Sequence, residues 1–172
     1  TRRISHNYTR TCWALQCDIK KFFKSVDHQV LKKLLREKIS DKDVIWLLER
    51  IIDSFPYGIP LGNLTSQVFA NIYLNELDQF IKNKLKIKYY LRYADDFIIL
   101  ANNQKNFNFY IDSIKDFLID RLKLELHPNK IIIRKLDWGI DFLGYIVLPD
   151  YILPRTKTKS RIFQKLKQKI HD

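Results

Sequence analysis

Three aspartates stand where a folded chain does not place acids without cause. Asp18 ends an otherwise apolar stretch, CWALQCDI (12–19), and Asp95 and Asp96 sit side by side between YYLRY and FIILA. Carboxylates this close repel, and each raises the other's pKa unless a cation intervenes. Hard divalent ions such as Mg²⁺ take carboxylate oxygens, often alongside substrate phosphates. If the strands carrying these acids are neighbours, the three carboxylates converge, and two metal ions held there suit phosphoryl transfer. An Asp-Asp pair in a hairpin is also ordinary turn chemistry, so the acids alone leave both readings open.

The elements that must position them can be read from periodicity. Residues 12–19 read as a short buried strand. Asp27 can cap a helix over 28–39, with Val30, Leu31, Leu34, Leu35 and Ile39 on one face. Ser40 and Asp43 open a second helix through about Ile52. FPYGIPLGN is turn-like, and a long amphipathic helix runs from about Ser66 to Lys86 with Phe69, Tyr73, Leu77 and Phe80 as a stripe. Segments 87–93 and 97–101 form a tight hairpin with Ala94-Asp95-Asp96 at its tip. A helix over 106–122 follows, then strands at 130–136 and 141–147 joined by a turn at Trp138-Gly139, then a helical basic tail after Pro154 with Ile162, Phe163, Leu166 and Ile170 on one side. This order predicts an α+β fold, an antiparallel sheet covered on one face by helices.

The 172 residues are 46% hydrophobic, with only 4 glycines and 5 prolines, so long regular elements are expected rather than disorder. The net charge of +12 points to a polyanionic partner, of which nucleic acid is the commonest. The excess lies at the two ends: residues 1–24, with Arg2, Arg3 and Arg10 among their bases, are net +5, and residues 155–172 are net +6. Solvated ends would give the same count. Cys12 and Cys17 read as reduced core residues of an intracellular protein, without a zinc site. No apolar run reaches the length of a membrane span. There is no methionine, so the chain reads as part of a longer protein.

With these residues in hand, the chain resembles reverse transcriptases. DIKKFFKSVDH (18–28) is similar to the first palm motif, and GIPLGNLTSQVFANIYLNELD (58–78) to the motif lining nucleotide and template. YADDFIIL (93–100) resembles the catalytic hairpin, LHPNKI (126–131) the lysine-bearing motif, and DFLGYIV (141–147) the primer grip. The resemblance implies a right-hand polymerase palm with partial fingers over 1–154 and the start of a thumb over 155–172. It implies that Asp18, Asp95, Asp96 and the carbonyl of Ile19 hold two Mg²⁺ ions, with Mn²⁺ as a substitute. The backbone N–H groups of Lys21 and Phe22 would lie against the triphosphate. Phe23 matches the steric gate that favours dNTP over NTP, although a core aromatic would look the same. Lys130 matches the residue that protonates the leaving pyrophosphate, with a solvated or phosphate-positioning role as the other reading. Phe142, Leu143 and Gly144 would form the primer grip.

One departure is informative. Many members carry glutamine before the glycine matching Gly62 and proline after the serine matching Ser66; here Leu61 and Gln67 stand there. This form resembles the enzymes of diversity-generating retroelements, which copy RNA with errors at adenines. Losing one polar contact at Leu61 costs about 1 kcal/mol of discrimination, near tenfold; a packing variant is the bland reading. The expected partners are an RNA template, a DNA or RNA primer, dNTPs and a small basic accessory protein, with no membrane. The expected setting is the cytoplasm of a bacterium or archaeon, or a phage-encoded protein. Enzymes of group II introns, retrons and phage-defence systems are alternatives, as is a catalytically silent RNA-binding module.

Overall fold

A computed structural model describes residues 12–171, with the side chains of 169–171 left aside; Arg2, Arg3 and Arg10 therefore lie outside the described residues. Backbone proximity divides the chain into two compact units, residues 16–99 with 105–131, and the remainder.

The larger unit carries most of the helices. β1 (Trp13–Asp18) ends in it and leads to the short α1 (Phe22–Ser25). Asp27 then accepts a hydrogen bond from the Val30 N–H at 2.9 Å and caps α2 (His28–Lys38), as its residue type requires. α3 (Lys42–Asp53) is capped by Asp41, whose side chain accepts from Asp43 and Val44. This corrects the expected start at Ser40 and Asp43: the carboxylate one residue before the helix takes both free N–H groups. α4 (Leu64–Gln79) begins two residues earlier than the apolar stripe predicts and relaxes into a π-helical turn at Phe80–Lys84. Phe69, Tyr73 and Leu77 of its stripe are buried, and Phe80 stacks on Phe117 with ring centroids 4.2 Å apart. The Tyr73 hydroxyl donates to the Leu122 carbonyl at 2.6 Å and accepts from the Asp27 N–H at 3.3 Å. One side chain thus ties α4 to the end of α5 (Phe107–Leu122) and the start of α2. Burying side chains such as Tyr73, Phe97 and Leu118 contributes about 1.5–3 kcal/mol each.

β2 (Tyr90–Tyr93) and β3 (Asp96–Ala101) pair antiparallel, with Tyr93 opposite Asp96. The turn is therefore two residues, Ala94-Asp95, and Asp96 already belongs to the strand. The described strands order as β2-β3-β1-β4, with β4 spanning Ile132–Lys135.

In the smaller unit the expected strand over 141–147 is two strands, β5 (Ile140–Phe142) and β6 (Tyr145–Val147), turning at Leu143-Gly144. With β7 (Ile152–Pro154) they make a separate three-stranded sheet. Trp138 ends a 3-10 turn, Leu136–Trp138, with Gly139 after it, and this segment does not pair β4 with β5. The basic helix α6 spans Thr156–His171. Cys12 and Cys17 are buried free thiols, with burial raising both pKa values and pushing Cys17 up to about 12. Among the described residues no helix is long and apolar enough to cross a membrane.

Candidate active site

The acids predicted to converge do so, at the end of β1 and the tip of the β2–β3 hairpin. Asp18 is only 8% exposed although charged. Just past it, the Ile19 N–H donates to the Asp95 carbonyl at 3.3 Å, which joins the two backbone segments. The Asp96 and Asp18 carboxyl groups stand close enough to interact directly. Burial, then that interaction and the charges of Asp18 and Asp95, push Asp96 up to about 6, against the pull of Lys130. Burial and the Asp18 charge raise Asp95 as well.

Lys130 completes the group. Its Nζ lies 2.6 Å from Asp18 Oδ2, and this bond to the carboxylate raises its own pKa. It does not lie in the strand expected over 130–136 but ends a 3-10 turn, Pro128–Lys130. That turn is set by the His127 Nδ1, which accepts from the Asn129 N–H, and by Pro128 at its first position. The segment before it pairs with the end of β1: His127 N–H donates to the Asp18 carbonyl at 2.8 Å and Lys20 N–H to the Glu125 carbonyl at 2.9 Å.

Two braces were not visible in the sequence reading. Arg92 on β2 makes a bidentate pair with Asp78 on α4, at 2.8 and 2.7 Å, and its third nitrogen donates to the Ala94 carbonyl at 3.0 Å. The Tyr90 hydroxyl donates to the same Asp78 at 2.7 Å. The side chains of Arg92 and Asp78 are only 10% and 20% exposed, so the fork holds the β2–β3 turn with little competition from water. The second brace joins the first two motifs. The Ile59 N–H donates to the Phe23 carbonyl at 2.7 Å, and His28 Nε2 bonds the Gly58 carbonyl at 2.7 Å. A Cβ on Gly58 would stand 2.3 Å from the Phe23 oxygen, so only glycine permits this approach. The residues themselves were in view, Asp78, His28 and Gly58 within the motifs and Arg92 next to one, but nothing in their spacing announces the pairing.

The remaining predicted residues fall into groups. Lys21 sits exposed in a left-handed conformation, φ 48°, before α1. Phe22 is buried, and half-buried Phe23 meets it edge-on with centroids 5.2 Å apart. Leu61, Gly62 and Gln67 are exposed on the loop and first turn of α4. Ser66 beside them is fully buried, with its Oγ lacking a hydrogen-bond partner among the described residues. Phe142, Leu143 and Gly144 form the tip of the β5–β6 hairpin in the smaller unit.

Among the described residues no three His, Cys, Asp or Glu side chains stand ready as a metal cage. The donor chemistry nevertheless fits a hard divalent cation. Three clustered carboxylates, two with raised pKa values, are met here by one ammonium, and a divalent ion would supply further neutralisation.

The fold is that of a polymerase palm. Residues 2–147 match the family model described as reverse transcriptase (RNA-dependent DNA polymerase), and the chain belongs to that family. It is 25% identical to the group II intron-encoded protein LtrA of Lactococcus lactis subsp. cremoris over 84% of its length, and 28% identical to the retron Ec73 reverse transcriptase of Escherichia coli over 77%. It spans 36% and 45% of those proteins. Apo telomerase from Candida tropicalis shares the fold, with a TM-score of 0.69 at 13% identity, covering 93% of this chain and 35% of that one.

Proposed function

We propose that this protein is an RNA-directed DNA polymerase that extends a DNA or RNA primer along an RNA template by nucleotidyl transfer from dNTPs. The observation that carries it is the convergence of Asp18, Asp95, Asp96 and Lys130. Asp18, Asp95 and Asp96, with the Ile19 carbonyl, would hold two Mg²⁺ ions, with Mn²⁺ as a substitute. Such ions supply charge neutralisation at the phosphates and acidify the attacking hydroxyl. Lys130, kept protonated beside the carboxylates, can deliver its proton to the departing pyrophosphate. The Phe23 ring, packed edge-on with Phe22, would stand against the sugar and exclude a 2′-hydroxyl. The backbone N–H groups of Lys21 and Phe22 would meet the triphosphate. The Leu143-Gly144 turn would let a primer backbone approach closely.

A finer reading, a diversity-generating element with adenine errors, rests on the LGNLTSQ form. Leu61 is 74% exposed, which favours a ligand contact over a packing role. In that setting a small basic accessory protein is the expected partner. The similarity to intron and retron proteins supports those settings instead. The Leu61→Gln variant separates them: a roughly tenfold drop in adenine errors favours the first, and an unchanged error spectrum rejects it.

The test of the activity is primer extension on an RNA template with Mg²⁺ and dNTPs. Extension is expected, and it should disappear in Asp95→Ala/Asp96→Ala. A folded, template-binding protein that extends nothing would instead be a silent RNA-binding module.

A further inference from the structure

The turn after β4 presents a tryptophan to solvent on a fixed backbone. The Leu136 N–H donates to the Cys12 carbonyl at 2.8 Å, and the Gly139 N–H to the Leu136 carbonyl at 2.8 Å. Arg134 Nη1 donates to the Gly139 carbonyl at 3.3 Å. Gly139 holds φ 76°, and a Cβ there would stand 2.6 Å from the Ile146 side chain, so this end of the turn packs closely on β6. Between these anchors Trp138 is 66% exposed. Single exposed aromatics are common, but an indole on so fixed a turn is pre-organised, and a ligand has little ordering cost to overcome.

Its neighbours narrow the ligand. The Lys135 Nζ lies 5.2 Å from the Trp13 ring centroid and 5.8 Å from that of Trp138, so one ammonium bridges two indoles. Paired aromatics are a receptor for foreign cations. Here the chain's own lysine takes that place, which excludes a quaternary ammonium or methyl-lysine ligand. What remains is an exposed ring face with positive charge beside it, Arg134 and Lys135 against Asp137. The smaller unit around it carries eight Lys and Arg against three Asp between residues 132 and 168, so its field attracts anions. An aromatic face beside bases in such a field fits an unpaired nucleotide, with its base on the ring and its phosphate at the ammonium. A base inside a duplex offers no free face to the ring.

We propose that Trp138, with Lys135 and Arg134, forms a stacking site for single-stranded nucleic acid. None of these residues belongs to the carboxylate group or to the Phe142–Gly144 turn. The inference rests on the polymerase reading only for the kind of strand, an unpaired stretch of template RNA or of product DNA.

The test is tryptophan fluorescence in a Trp46→Phe background, titrated with oligouridylate or oligothymidylate in EDTA. Trp46 is an exposed residue of α3, and its removal leaves Trp13 and Trp138 as the only indole reporters. Saturable quenching is expected. Tighter binding of the uridylate assigns the site to RNA, of the thymidylate to DNA, and equal binding to both. By anisotropy of the labelled oligonucleotide, Trp138→Ala should weaken binding at least about fivefold. Trp138→Tyr, which keeps a ring, should retain most of the affinity and guards against misfolding of the alanine variant. Lys135→Gln should lower the slope of log affinity against log salt by about 0.7. Affinity for a blunt RNA–DNA duplex should not change in Trp138→Ala. Absence of quenching, an unchanged oligonucleotide affinity in Trp138→Ala, or an equal loss for the duplex overturns the proposal. The assay needs neither metal nor catalysis, so its failure is separate from that of primer extension: extension without quenching rejects the stacking site alone, and quenching without extension rejects the polymerase alone.

Discussion

Among the described residues two hairpins have two-residue turns, and they are built in opposite ways. The Ala94-Asp95 turn brings Asp95 beside Asp96 and rests on buried strand residues Phe97, Ile98 and Ile99. It is gripped by the Arg92–Asp78 fork. The Leu143-Gly144 turn has an ion pair too, Arg155 with Asp141 at 3.0 Å, but on side chains 47% and 37% exposed, and its neighbouring strand Ile152–Pro154 is exposed throughout. Chemistry on phosphates needs carboxylates fixed to within a fraction of an ångström, so the first hairpin is anchored in the core. The second hairpin, if it receives a nucleic-acid strand as proposed, would need only a defined turn and accessible backbone.

The largest expected contrast is between the two arginines. Arg92→Ala should cost about 3–5 kcal/mol, because it strands Asp78 in a largely buried site. Arg155→Ala should cost less than about 1 kcal/mol. Denaturant unfolding of both variants measures the difference, and equal losses would dissolve the comparison.

A smaller effect comes from pH. Asp96 is pushed up to about 6 when folded, above the usual unfolded value of about 4. The folded state therefore holds this proton more tightly, and the group favours folding at low pH. That contribution is lost as pH rises through about 6, and with the group's partial exposure it amounts to about 1 kcal/mol. Carboxyl NMR should place the Asp96 midpoint near 6 without divalent ions and lower with Mg²⁺. A midpoint near 4 in metal-free protein would remove the electrostatic argument for a cation site.

The smallest effect sharpens the turn itself. Ala94 holds φ 50°, a left-handed value that costs a non-glycine residue. Ala94→Gly should stabilise the fold by about 0.5 kcal/mol once glycine's greater unfolded freedom is deducted. A loss of stability would mean that the alanine methyl is itself packed into the turn.

These hairpins also show what the sequence disclosed. The first was legible because charge interrupts two apolar runs at one point, and Asp27 before an amphipathic run marks a helix start in the same direct way. The second was hidden inside DFLGYIV, an apolar run that reads as one strand; only the backbone angles at Leu143 and Gly144, φ 53° and 83°, reveal the turn. Arg92 and Asp78 lie 14 residues apart on different elements, and local pattern does not encode such a meeting. Lys130 was found by its motif and not by its element, because a proline-started 3-10 turn has no hydrophobic period. The cap at Asp41 was missed by one residue, within a cluster of three plausible capping side chains, Ser40, Asp41 and Asp43.

The most direct test of the central claim, that the braced hairpin and Asp18 form a divalent-cation site, is Mn²⁺ binding followed by water-proton relaxation. The protein should bind Mn²⁺, Asp95→Asn/Asp96→Asn should lose at least tenfold in affinity while remaining folded, and Asp141→Asn at the other hairpin should leave it unaltered. Undiminished Mn²⁺ binding in the folded double variant would contradict the account.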